Sequence, residues 1–174
     1  MVWWMLPEFW EKTFEEDPTI NKEEAEEIIT MFREYSIFAV AAAELSDMGI
    51  PNYKSEDFLQ ETTLLIDTRN RRHYAHKKDR IDGDTQLMLN FFETYFSQLL
   101  GELGENITTC VFGSNIIDPL EKNDFKIIVD QKSFTFKLPL GSLLPLKFCP
   151  EDGEKFNGGW LYCPFHGTYL KKCR

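Results

Sequence analysis

The sequence predicts an α+β protein: an N-terminal antiparallel four-helix bundle over residues 1–105, followed by a small β-rich module over residues 106–174. Three observations lead there. Apolar residues recur at helical spacing in four stretches before residue 104, and the short breaks between them favour antiparallel neighbours. After Glu105-Asn106 the pattern changes to short alternating runs separated by turn residues, as strands and hairpins require. A hydrophobic content of 43% with 14% aromatics supplies a packed core and excludes a globally disordered chain.

The first helix is expected over residues 3–16, where Trp3, Leu6, Trp10 and Phe14 share a face and Pro7 suits a first turn. Asp17-Pro18 breaks the chain. Asn21 and Glu24 have the spacing of a capping box, and Ala25, Ile28, Ile29, Phe32, Tyr35, Ala39 and Ala42 then mark a helix over about residues 22–47. Its second half, Phe38 to Ala43, is apolar all round and should be central in the bundle. Ser55 caps a third helix with Phe58, Leu59, Thr62, Leu65 and Ile66 inward, and the same face continues to Arg69 and His76. Asp84 is the expected cap of a fourth, whose stripe runs from Met88 through Phe91, Phe92, Tyr95, Phe96, Leu99 and Leu100 to Leu103. Strands follow at Ile107–Phe112, Phe125–Val129 and Ser133–Leu138, the last two joined across Asp130-Gln131-Lys132.

Charge and cysteine usage bound the function. The net charge of -10 argues against a general basic nucleic-acid binder, because phosphate affinity comes mainly from Lys and Arg. It suits a basic protein partner. No stretch approaches the ~20 apolar residues that span a bilayer. The apolar start lacks a cationic leader region and runs into acids, so it does not read as a signal peptide. Three of the four cysteines gather near the C-terminus beside His166, which favours metal and a reducing cytosol over disulfides.

Cys149-Pro-Glu-Asp152-Gly153 and Cys163-Pro-Phe-His166-Gly167 share one form, nine residues apart. A turn of the type Cys-Pro-x-Cys-Gly aims two side chains at one ion, and two such turns on a β-ribbon make a tetrahedral zinc site. Residues 147–156 resemble the first knuckle of a zinc ribbon, with Asp152 where a second cysteine would stand. The expected ligands of a structural Zn2+ are Cys149, Cys163 and His166 with either Asp152 or Cys173, all within a ribbon-like segment at 145–173. Residues 160–167 also resemble the second half of a Rieske motif, but Glu151 occupies the position of the upstream histidine that such a cluster needs.

The densest cationic stretch is Thr68 to Lys78, which holds His73 and His76. Arg69-Asn70, six intervening residues and His76, placed ahead of a long helix, resemble the HEPN superfamily of helical-bundle ribonucleases over residues 20–104. That resemblance implies a metal-independent endoribonuclease in toxin–antitoxin or antiviral defence, working as a homodimer. Arg69, Asn70 and His76 are its carried-over catalytic residues. Histidine suits proton removal from a ribose hydroxyl, and arginine suits the charged phosphorane. His73 is an alternative base, Arg71, Arg72, Lys77 and Lys78 would hold flanking phosphates of the RNA, and Tyr74 would stack on a base. The rival reading, carried by the net charge, is a non-catalytic acidic protein-binding module of inhibitor or immunity type, with a structural zinc site.

Overall fold

The computed structural model describes residues 1–16, 21–114 and 116–173. It is α+β, but no four-helix bundle is present among the described residues. Instead a helical layer covers one face of a three-stranded sheet, and a four-stranded sheet covers the other.

The middle layer is built from β1 (Val2–Trp4), β2 (Ser36–Val40) and β7 (Thr108–Phe112), all antiparallel with β2 central. Its strands serve two cores at once. Ile37, Ala39 and Val111 pack with Trp10 of helix α1 (Pro7–Glu16), Phe32 of α2 (Lys22–Glu34) and Phe92 and Phe96 of α4 (Gly83–Leu100). Phe38, Val40, Cys110 and Phe112 face the opposite way. There they meet Leu65 of β5 (Leu64–Ile66) and Phe125, Ile127 and Val129 of β8 (Phe125–Val129). With β6 (Arg72–Tyr74) and β9 (Lys132–Phe136), these form the second sheet in the order β6-β5-β8-β9. Helix α3 (Glu56–Thr62) plugs its Leu59 into this second core. Residues on both sides of 105 therefore contribute to both sheets.

The helix expected over residues 22–47 stops at Glu34, and its apolar second half is β2. The reason is double burial. A strand covered on both faces loses the alternation that betrays a half-buried strand, so an all-apolar run reads equally as a buried helix. Ala43–Leu45 (β3) then pairs with Pro51–Tyr53 (β4) in a small hairpin. The third expected helix likewise ends at Thr62, and the chain turns into the β5–β6 hairpin, whose Leu65 is fully buried.

Other expectations shift by less. The first helix begins at Pro7, and Trp3 lies on β1. Asn21 caps α2 by accepting from the Glu23 amide, while the Glu24 side chain and the Asp17-Pro18 break lie outside the described residues. Asp82, not Asp84, caps α4: its carboxylate accepts from the Thr85 amide at 2.9 Å. The short helix α5 (Glu102–Glu105) follows at once. The β8–β9 turn holds Asp130 and Gln131 at φ 45° and 66°, the paired left-handed geometry of a two-residue hairpin. A ribbon of β10 (Lys147–Phe148), β11 (Lys155–Phe156) and β12 (Lys171–Lys172) ends the chain, with β10 in the middle.

Candidate metal centre

The two Cys-Pro turns fold identically. Gly153 donates its amide hydrogen to the Cys149 carbonyl at 2.8 Å, and Cys149 donates to the Glu154 carbonyl at 2.9 Å. At the corresponding positions Gly167 donates to Cys163 at 2.9 Å, and Cys163 to Thr168 at 2.8 Å. Both glycines have positive φ, 78° and 65°, which a side chain would oppose. Each turn thereby aims its cysteine sulfur inward.

The sulfurs and one imidazole converge. His166 Nδ1 lies 3.5 Å from Cys149 Sγ and 3.5 Å from Cys163 Sγ, and the three ligand atoms lie within 4.8 Å of one another. Both sulfurs are buried, while His166 is exposed. Cys149, Cys163 and His166 can therefore hold a metal ion. Asp152 stands beside them: its Oδ2 lies 3.5 Å from His166 Nδ1, while its Oδ1 accepts from the Glu154 amide at 2.9 Å. Cys173 is exposed, and its thiol is outside the group. Asp152 is likewise outside the group of three, but of the two expected fourth ligands it is the one that contacts a member of it, His166.

The local electrostatics favour an anionic sulfur. Burial pushes the Cys149 thiol up, but hydrogen bonds from the Glu151 amide, the Thr168 hydroxyl and the Asp152 amide outweigh it and hold the thiol below its ordinary value. The interaction with Cys149 in turn raises His166. Thr168, whose Oγ1 is 3.6 Å from Cys149 Sγ, is a partner that spacing alone gave no reason to single out.

The arginine–histidine stretch has a different organisation from the one its sequence suggests. Arg69 and Asn70 sit in the turn of the β5–β6 hairpin, with Asn70 at φ 61°. His76 lies beyond the return strand, where its amide donates to the Val111 carbonyl at 2.7 Å. No helix spans the two, so they share no helix face. The organising residue is Asp67, only 2% exposed. Its Oδ1 accepts from the Arg69 and Arg71 amides at 2.9 and 2.8 Å, and its Oδ2 accepts from Arg71 Nε at 2.7 Å and contacts His73 Nε2 at 3.0 Å. Burial alone would raise this carboxyl, but these bonds together hold it well below the usual carboxylate range.

His73 and Arg71 are thus engaged in holding a turn. Arg72 and exposed Tyr74 project from the opposite face of β6 to His73. Lys77 precedes a single 3-10 turn at Lys78–Arg80, and Lys78 pairs with Glu56. His76, Tyr74 and Lys77 line a surface pocket of 390 Å³ with Asp57, Gln60 and Glu61. The signal for Asp67 was present in the sequence as Asp67 and Asn70, two turn formers three residues apart.

All four cysteines are free, and among the described residues no helix is long and apolar enough to cross a membrane. No known protein family matches the chain, and no characterised protein or solved structure is significantly similar to it.

Proposed function

We propose that this chain is a non-catalytic, acidic protein-binding module whose C-terminal ribbon is held by a structural zinc ion. The observation that carries the metal half is the ligand spacing. With Zn–S of about 2.3 Å and Zn–N of about 2.0 Å, tetrahedral geometry puts sulfur and nitrogen about 3.5 Å apart. Both sulfur–nitrogen distances are 3.5 Å. Asp152 is the fourth ligand in this reading. The ion's role is structural because the ribbon has almost no core of its own: Cys149, Phe156, Cys163 and Leu170 are its buried cluster. What the ion keeps in place is a recognition surface, with Trp160, Tyr162, Phe165 and Tyr169 all exposed around the knuckles. Four free thiols suit a reducing, cytosolic setting.

The binding half is supported by the charge of the body. A groove of 680 Å³ between α2 and the start of α4 is lined by Glu23, Glu26, Glu27, Glu34, Asp82 and Asp84 and, among the described residues, by no lysine or arginine. Such a face attracts a basic protein and speeds its arrival. Two assays separate this reading from an RNase. Zinc-loaded protein, Arg69→Ala and His76→Ala should leave single-stranded and structured RNA equally intact in magnesium-free buffer. Cleavage by wild type that is lost in either variant would favour the nuclease. Binding to a lysine-rich peptide should fall with rising salt and weaken in Glu26→Lys/Glu27→Lys; binding unaffected by that double change would remove the groove from the account.

A further inference from the structure

Helix α4 carries more apolar surface than its own fold uses. Thr85, Leu89, Phe92 and Phe96 are its buried face. Leu87, Phe91, Tyr95 and Leu99, each four residues beyond the last, are 72%, 61%, 44% and 61% exposed. The single apolar stripe read from the sequence is two stripes, and one of them faces solvent. A helix that is apolar on both sides ordinarily lies between two partners.

The rim of this face narrows the choice of partner. Beside the apolar ridge runs a second ridge of Asn90, Thr94 and Gln98, exposed, polar and uncharged. The charged residue in the middle of the helix, Glu93, is turned inward, where its Oε1 accepts from the Thr109 hydroxyl at 2.8 Å. On a chain of net charge -10, the ridge from Leu87 to Leu99 presents no carboxylate among the described residues, and Asp84 stands at its N-terminal end, one turn before Leu87. A basic partner would find its six carboxylates in the acidic groove, which reaches Asp84 at the start of α4, and not along the Leu87–Leu99 ridge.

We propose that the exposed face of α4 is the interface of a homodimer, in which two copies of this chain cross their α4 helices about a two-fold axis. Residues four apart form an inclined ridge, and two such ridges interdigitate at a crossing angle of about -50°. A two-fold axis lets the same ridge serve both copies. Phe91 and Tyr95 lie mid-ridge and are the anchors. Taking about 200 Å² for each large side chain, the exposed fractions amount to roughly 500 Å² of apolar area per copy. With the Asn90–Thr94–Gln98 rim the pair reaches the ~1,200 Å² at which specific interfaces begin. The dimer does not depend on the metal or on the basic partner, so its test stands apart from theirs.

The test is light scattering on size-exclusion fractions of the zinc-loaded chain over a dilution series, with wild type, Phe91→Asp and Tyr95→Lys. Wild type should run at twice the chain mass of 20.4 kDa and dissociate on dilution. Both substitutions are at exposed positions, and circular dichroism checks that each variant folds. Each should raise the dimer dissociation constant about 100-fold or more, within the range of anchor residues at interfaces. A wild type that is monomeric throughout, or folded variants that dimerise as tightly as wild type, would overturn the proposal.

Discussion

Removing the Asp67 carboxylate tests whether the arginine–histidine stretch is held for structural reasons. Asp67→Ala leaves the Arg69 and Arg71 amides, Arg71 Nε and His73 Nε2 without their acceptor. A hydrogen bond to a charged group is worth about 1.5–3 kcal/mol net. The Arg71 guanidinium is 59% exposed, so it returns to water and counts for little. The other three donors, partly rehydrated in an altered turn, put the cost at about 3–5 kcal/mol. With a slope near 2 kcal/mol per molar, the urea midpoint falls by about 2 M. Asp67→Asn keeps a carbonyl oxygen for the two amides and loses only the anionic side, so about 1–2 kcal/mol is expected.

The pH dependence has a definite sign. The folded carboxyl titrates below its ordinary value, so on acidification the unfolded chain takes up the proton first. The contribution of Asp67 is complete above the ordinary carboxylate value of about 3.9 and is lost as pH falls from there toward the folded value. The gap between wild type and Asp67→Asn should therefore close in acid. The measurement is urea unfolding at neutral pH and at two acidic values. A cost below about 1 kcal/mol for Asp67→Ala, or a gap that does not shrink in acid, would refute the reasoning.

Two further outcomes follow from packing and burial. A Cβ on Gly104 would sit 1.9 Å from the Phe96 carbonyl oxygen, so Gly104→Ala must separate α4 from α5; a loss above about 2 kcal/mol and a melting point lower by about 5 °C or more are expected. Gly101→Ala, at φ 56° and ψ -133° with open space around the new carbon, is opposed by its backbone and not by a contact, and should cost about 1–3 kcal/mol; wild-type stability of Gly104→Ala would contradict the packing described. Alkylation followed by mass spectrometry should label Cys173 alone in the zinc-loaded protein, and Cys149 and Cys163 as well after chelation. Cys110, fully buried and pushed up to about 12 by that burial, should react only on unfolding.

What could be read in the sequence divides along a physical line. The cluster of Cys149, Cys163 and His166 was legible because turn chemistry fixes its spacing: two Cys-Pro turns closed by Gly153 and Gly167 bring their side chains together. Helix α4 and the β8–β9 hairpin were legible because local pattern and turn chemistry agreed. Ser36–Val40 was not, because burial on both faces comes from tertiary contacts with Trp10 on one side and Phe125 on the other. Thr63 to His76 failed for a related reason. Leu65 has helical spacing from Phe58, yet its strand gains neighbours in β6 and β8 that a helix could not offer. Asp67 and Asn70 are turn formers at the bend of the hairpin, a signal that the apolar spacing masks. With the helix gone, Arg69 and His76 share no helix face, and Asp67 is the residue that explains why Arg71 and His73 sit there.

The central claim is that Cys149, Cys163 and His166 hold one ion. Native mass spectrometry of the chain, purified in the presence of zinc and then exchanged into metal-free volatile buffer, tests it most directly. Wild type and Cys173→Ser should each retain one zinc per chain, Asp152→Asn should retain it more weakly, and Cys163→Ser should lose it. Full zinc retention in Cys163→Ser, or none in wild type, would contradict the account.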